Sequence, residues 1–213
     1  VPNKSFFIFC TKMLKRYRND KKISQICGSS FKNQRDNKKS NYFFSNYNLC
    51  WGYATWRRSI KDFDEKMSNW PKLKKNNYLF KILNNKKFVA YWTEIFDIQY
   101  EKKFIAWDYI WLYSNWVKKK ISIIPKKHLV ANIGFVKGAT HTKEEYKDWF
   151  NELKTSEVKL NDLFPKFKKA DLDYDNWLSK SVFKVEKLYI KNKLLKYNIF
   201  KTFKKIYTHF KKI

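Results

Sequence analysis

The sequence predicts an α/β fold. Short apolar segments of strand length, bounded by turn residues, alternate with stretches whose apolar residues recur at helical spacing. Of the 213 residues, 44% are hydrophobic and 20% aromatic, enough to bury a core and to exclude disorder as the main state. No apolar run reaches the ~18 residues of a membrane-spanning helix, and no repeat period is visible.

Residues 4–18 read as a helix, with Phe6, Phe7, Cys10, Met13, Leu14 and Tyr17 on one stripe. Residues 22–27 read as a buried strand, either alternating as Ile23, Gln25, Cys27 or packing Ile26, and ending at the turn Gly28-Ser29-Ser30. Residues 33–40 are polar and loop-like, and residues 42–45 form a strand. An apolar, glycine-containing segment, Leu49 to Trp56, leads into a helical pattern from Arg57 to Lys66, which Trp70-Pro71 breaks because proline disfavours a helical residue before it. Two helices are expected around 88–102 and 107–119. In the first, Trp92, Ile95, Phe96 and Gln99 share a face; in the second, Trp107, Trp111 and Asn115 are spaced by four. Residues 121–124 and 129–133 read as strands on either side of Pro125, and residues 143–180 are polar and loosely patterned. From Lys180 to Ile213 there are eleven lysines and one acid, Glu186, with Leu195, Ile199, Phe203, Ile206, Phe210 and Ile213 at helical spacing. That tract is either a packing helix or a basic amphipathic helix for an anionic membrane.

The formal net charge is +28, which raises the question of a polyanionic partner. Only five of the 47 basic residues are arginine, the usual bidentate ligand of phosphate and guanine. Lysine spread along a chain that is also rich in Asn, Ile, Phe and Tyr fits compositional drift better than a nucleic-acid surface. Cys10, Cys27 and Cys50 are odd in number and lack metal-ligand spacing, as expected of reduced thiols in a cytoplasmic protein. The four glycines, Gly28, Gly52, Gly134 and Gly138, flag special backbone positions in so glycine-poor a chain.

Three places could carry chemistry. Asp108, at the start of a predicted helix, is either a first-turn acid favoured by the helix dipole or a general base in an aromatic pocket. His141, between Thr140 and Thr142, is either a loop histidine or a metal or phosphate ligand. The run Trp51-Gly52-Tyr53-Ala54-Thr55-Trp56-Arg57-Arg58 is either core packing with a solvated helix start, or the floor of a ring-shaped ligand with a guanidinium for an anionic group. No phosphate-binding glycine loop, nucleophile elbow or zinc motif is present.

Residues in a fixed order carry a resemblance. Ser5-Phe6-Phe7, Arg16-Tyr17-Arg18-Asn19-Asp20, Ile26-Cys27-Gly28 and Tyr42-Phe43-Phe44-Ser45 come first. The Trp51–Arg58 run, Trp70-Pro71, Tyr91-Trp92-Thr93 and Ile95-Phe96-Asp97 follow. Trp107-Asp108-Tyr109-Ile110-Trp111, Leu129-Val130-Ala131-Asn132-Ile133-Gly134-Phe135 and Ala139-Thr140-His141-Thr142 complete the series. Over residues 1 to about 142 the chain resembles bacterial nucleotide-diphospho-sugar transferases of the family 2-like or hemolytic-protein-like glycosyltransferase group. The segment order is also similar to that of N-acetylglucosaminyltransferase I. Two departures stand out. Gly134-Phe135-Val136-Lys137 replaces a Gly-Phe-Gly-acidic pattern, and Phe164-Pro165-Lys166-Phe167 lacks the histidine of the corresponding family segment.

The resemblance implies a GT-A fold, and in such a domain this chain is the C-terminal, acceptor-side half. Its start at Val1-Pro2-Asn3-Lys4, with neither Met nor a signal peptide, is expected of a fragment that follows the acidic Glu-Asp-Asp-type motif. The implied organisation is residues 1–142 as the acceptor-side part, 143–180 as a polar connection and 181–213 as a Lys-rich amphipathic helix. The implied activity is transfer of a sugar from a nucleotide-diphospho-sugar to a hydroxyl of a cell-surface glycan or lipid-linked acceptor. Asp108 would be the base, and Trp51, Gly52, Trp56, Arg57, Trp107, Trp111, Asn132 and Gly134 would bind donor and acceptor. His141 would be a ligand of a Mg²⁺ or Mn²⁺ ion in the full-length enzyme. The implied location is the cytoplasm, peripheral on the inner face of the plasma membrane. A non-catalytic glycan- or partner-binding remnant is the alternative. Lacking the acidic motif, the 213-residue chain alone is expected to show no transfer. A radiolabelled sugar-transfer assay checks this, and turnover by the isolated chain would contradict it.

Overall fold

The computed structural model describes residues 1–32, 40–103, 105–133, 153–158 and 164–196. It is an α/β protein with a four-stranded mixed sheet. The chain divides into two compact units, each discontinuous in sequence: Val1–Met67 with Ala106–Asp175, and Ser68–Ile105 with Asn176–Ile213.

Unit 1 holds the sheet. Its strands are β1 (Ile23–Cys27), β2 (Tyr42–Ser45), β3 (Tyr53–Thr55) and β4 (Ile121–Pro125), in the spatial order β2-β4-β1-β3. β1 runs parallel to β4, while β2 and β3 pair antiparallel at the two edges. Parallel neighbours require a long crossover, and here the chain between β1 and β4 includes all of the first segment of unit 2. The edge of β2 is covered by an isolated bridge from Phe44 to Ala170 and by Asp171 N donating to Phe44 O at 2.7 Å.

Helix α1 (Lys4–Arg16) covers one face. The Asn3 side chain caps it by accepting from Phe6 N at 3.0 Å. Phe6, Phe9, Cys10, Met13 and Tyr17 bury against Ile23, Ile26, Tyr42, Phe44, Ile121 and Ile123. Phe7, expected on this stripe, is 59% exposed, because Phe9 at 0% exposure holds the position that keeps the 3.6-residue period with Phe6 and Met13. The opposite face meets α6 (Trp107–Val117) and the start of α7 (Leu172–Ser181), where Phe43 packs edge-on to Tyr174 at 4.7 Å. A register irregularity between Ile23 and Gln25 turns Ile23 and Ile26 to the same core.

Two further expectations need correcting. The helical pattern from Arg57 yields a single turn, α2 (Arg57–Ile60), because Arg58 is drawn back to α1 and β1. Its guanidinium donates to Tyr17 O, Arg18 O and Ile23 O at 3.0, 3.1 and 2.8 Å, which satisfies carbonyls where α1 ends. Residues 129–133 do not form a sheet strand; Val130 makes an isolated bridge with Pro2, and Asn3 N donates to Leu129 O at 3.0 Å.

Unit 2 is helical among its described residues. It contains α3 (Trp70–Lys75), α4 (Tyr78–Leu83), α5 (Lys86–Tyr100), most of α7 and α8 (Val185–Lys196). Pro71 opens α3 in its first turn, where the missing N–H costs nothing, so the break expected there is a helix start. Asn77 and Asn84, both left-handed (φ 49° and 44°), bracket α4. Asn85 caps α5 by accepting from Lys87 N and Phe88 N at 2.9 and 3.4 Å. The core is aromatic: Trp92 lies 5.7 Å from Phe96 and 5.1 Å from Phe183, and Trp70 lies edge-on to Phe96 at 5.4 Å. In the C-terminal tract Val185–Lys196 is helical, and residues 197–213 lie outside the described residues. No described helix is long and apolar enough to cross a membrane.

Two of the flagged glycines meet in unit 1. Gly28 N donates to Gly52 O at 2.7 Å, and Val130 packs over both. A Cβ on Gly28 would lie 2.5 Å from Val130 Cγ2; one on Gly52, whose φ is +64°, would lie 2.6 Å from it. Gly52→Ala is therefore expected to lower unfolding free energy by roughly 2–4 kcal/mol, from left-handed strain plus overpacking. Chemical denaturation measures this, and a second change, Val130→Ala, should recover the overpacking part only.

Candidate functional site

Gln25 sets the geometry of the site. Its side chain is buried at the centre of β1. Nε2 donates to Leu49 O at 2.8 Å and to Cys27 Sγ at 3.1 Å, while Oε1 accepts from Trp111 Nε1 at 2.6 Å. The amide thus fixes both the loop entering β3 and the first turns of α6. Leu49 N donates to Cys27 Sγ at 3.4 Å, holding the same loop a second time.

Asp108 sits in the first turn of α6, which has no side-chain N-cap. A first-turn acid fits the helix electrostatically, so a structural role is served whatever else the carboxylate does. It is half-buried, and Cys50 Sγ donates to its Oδ2 at 3.7 Å. Burial first, then the adjacent Asp108 charge, push the Cys50 thiol up to about 12. Cys50 is therefore a neutral S–H beside the carboxylate at neutral pH. Beside Asp108 in sequence, Trp107 packs against Tyr53 at 5.7 Å with a 34° tilt. Trp107 is 48% and Tyr53 39% exposed.

The remaining candidates divide by role. Trp51 packs edge-on to Phe31 at 5.1 Å, and its carbonyl accepts from Ser29 Oγ at 2.7 Å. Gly52 makes the left-handed turn described above. Trp56 is committed to the fold: Nε1 donates to Leu14 O at 3.2 Å and the Arg58 guanidinium covers its ring at 4.2 Å. Of the two arginines, Arg58 is spent on backbone carbonyls, and Arg57 is exposed. Trp111 is buried against Phe63 and holds Gln25. Asn132 is exposed at the end of the described segment. Gly134 and His141 lie outside the described residues. Among the described residues no group of three or more His, Cys, Asp or Glu side chains is placed to hold a metal ion; His141, the ligand expected for the divalent cation, lies outside them.

Sequence reasoning passed over three buried polar groups. Gln25 is one; a glutamine inside a strand with no exposed face was its only signal. His128, 3% exposed, accepts from Ser30 N at 3.1 Å through Nδ1, and burial holds it below its ordinary value, so it is a neutral acceptor tying β4's exit to the Gly28 turn. Asp175, 6% exposed in α7, accepts from Ser45 Oγ and from Asn46 N and Nδ2 at 3.1 and 2.8 Å. Burial raises it to about 6, against the pull of those donors.

No family model, curated protein or solved structure matches the chain.

The raised Asp175 carboxyl has a measurable consequence. In the unfolded chain the group loses its proton near 4, but in the folded protein near 6, so over that interval the native state binds more protons. Its contribution makes stability fall as pH rises from about 4 to about 6, by about 3 kcal/mol, and stay level above. Asp175→Asn is expected to remove that component of the slope. Denaturation curves of both proteins at a series of pH values would show a constant difference if Asp175 does not titrate.

Proposed function

We propose that unit 1 is the acceptor-side part of a GT-A-type glycosyltransferase. It would act on a nucleotide-diphospho-sugar and a hydroxyl of a cell-surface glycan or lipid-linked acceptor, at the cytoplasmic face of the membrane. One observation carries the reading: a half-buried carboxylate, Asp108, stands next to an exposed aromatic pair, Tyr53 and Trp107. Aromatic faces take up the C–H faces of sugars, and a carboxylate beside them can receive the proton of a sugar hydroxyl. The mixed α/β sheet and the order of the motif segments support the same assignment.

The chemistry follows from those groups. An acceptor sugar stacks on Tyr53 and Trp107. Its hydroxyl proton passes to Asp108 as the oxygen bonds to the anomeric carbon of the donor. The bond from that carbon to the diphosphate oxygen breaks, and its electron pair leaves with the diphosphate. Arg57, exposed at the start of α2, is the side chain of the Trp51–Arg58 run with a free charge for an anionic group. Cys50 stays protonated and hydrogen-bonds the carboxylate, while Gln25 and Trp111 keep α6 in register with the β3 loop.

The alternative, a glycan-binding remnant, uses the same aromatic pair without the proton transfer. Titrating the chain with a panel of oligosaccharides while following tryptophan fluorescence tests the shared part. Tyr53→Ala and Trp107→Ala are each expected to weaken binding roughly fivefold to tenfold, and no binding by any glycan would end both readings. In an enzyme completed with a donor-binding half, Asp108→Asn is expected to lower kcat by about 10²–10⁴ with KM little changed. Glycan binding with no transfer in any completed enzyme would favour the remnant.

A further inference from the structure

We propose that the α3–α4–α5 face of unit 2 is a docking surface for an anionic phospholipid bilayer. The inference concerns a different unit from the sugar site and does not rest on the reading of that site.

The first observation is local charge. From Asn69 to Thr93 the chain carries six lysines and no aspartate or glutamate. Lys74 is paired with Asp97 at 2.7 Å, and Lys87 reaches Glu186 at 3.8 Å. Lys72, Lys75, Lys81 and Lys86 are exposed and make no ion pair among the described residues. A concentration of uncompensated lysines attracts an anionic surface, with each contributing about fivefold near a bilayer.

The second observation is a groove that two of these lysines, Lys81 and Lys86, line. A groove of ≈ 490 Å³ opens beside α4, floored by Phe80, Val89 and Ala90 and rimmed by Asn77, Lys81 and Lys86. Phe80 is 41% exposed. The inner face of α5 is used up by Phe88, Trp92, Phe96 and Gln99, so Val89 and Ala90 lie on its outer side. Leu79 turns inward from α4, leaving Phe80 and Lys81 outward. The left-handed Asn77 and Asn84 end the helix sharply on both sides, which presents it as a short ridge.

An apolar floor flanked by two unpaired lysines, with two more on α3, is the pattern of a surface that meets lipid. The Phe80 ring enters the headgroup region, and the lysine stems lie along the apolar boundary with their amines among phosphates. A second copy of this chain would bring the same positive charge and is disfavoured. A nucleic-acid partner is served by charge and stacking rings, and gains nothing from Val89 and Ala90. Anionic lipid uses both parts.

The test uses the full chain and vesicles of phosphatidylcholine with and without phosphatidylglycerol, at physiological ionic strength, by co-sedimentation. The wild-type chain is expected on the anionic vesicles only. Lys81→Glu with Lys86→Glu should lower partitioning by about 20-fold or more. Lys118→Glu with Lys119→Glu makes the same change of net charge at exposed positions in unit 1 and should lower it far less. Phe80→Ser, which changes no charge at an exposed site, should lower it several-fold while far-UV circular dichroism stays unchanged. Equal losses in the two lysine pairs, or no effect of Phe80→Ser, would overturn the proposal. So would a loss of single-stranded RNA binding in Lys81→Glu/Lys86→Glu with vesicle binding intact.

Discussion

The buried Gln25 amide is the interaction on which the geometry of unit 1 depends. It sits in β1, a strand with no exposed face, and each end of the amide is engaged. Its donor end holds the loop that leads to β3, and its acceptor end holds Trp111 on α6. An amide buried without partners costs of order 1–3 kcal/mol, so loop and helix are bound to one solution. That solution places Cys50 against Asp108 and Tyr53 against Trp107. A leucine in place of Gln25 would fill the space but leave the Trp111 indole and the Leu49 carbonyl to find other partners.

A second constraint is steric. Val130 closes over Gly28 and Gly52 at distances no Cβ would tolerate, and the Leu129 amide donates to Gly28 O at 2.9 Å. The result is a joint between the end of β1, the start of β3 and the segment that leaves β4. Arg58 makes a comparable joint with a charge, gathering the carbonyls of Tyr17, Arg18 and Ile23. Asp175 makes one with a carboxylate, joining α7 to the end of β2 through Ser45 and Asn46. Each joint spends a polar or flexible residue inside the fold. Arg58 and Asp175 are therefore structural, although charged residues in an aromatic setting invite a functional reading.

The aromatic residues are shared between two tasks. Trp70, Trp92, Trp116, Tyr42, Tyr47, Phe9, Phe44 and Phe96 are almost wholly buried and build the cores. Among the described residues Phe7, Tyr53, Phe80, Tyr100, Trp107 and Phe167 are exposed, and the functional readings use Tyr53, Phe80 and Trp107. Exposed rings are informative here because the chain has so many ways to bury one. Lysine behaves similarly: the net charge of +28 is spread widely, yet the stretch from Asn69 to Thr93 lacks any acid to offset it.

The sequence by itself determined the elements whose signal is local. Helical spacing over 4–18, 88–102 and 107–119 and the apolar runs of β1, β2 and β4 are legible because each buries one continuous stripe or strand. The rarity of glycine marked Gly28 and Gly52, since a chain of this composition keeps glycine where a Cβ will not fit. Asp108 is legible in the sequence as a first-turn acid of its helix, while the family resemblance alone favours its reading as a base. Tertiary structure decided the rest. Phe7 loses its place on the α1 stripe to Phe9 because only packing selects among adjacent rings. Residues 129–133 have strand composition but pair with the N-terminus instead of the sheet, because Val130 is held over two glycines. Trp56 and Arg58, neighbours of the exposed Arg57, are consumed by contacts with Leu14, Tyr17 and Ile23, far away in sequence. Which of several similar side chains faces solvent depends on partners distant along the chain, and no local pattern carries that information.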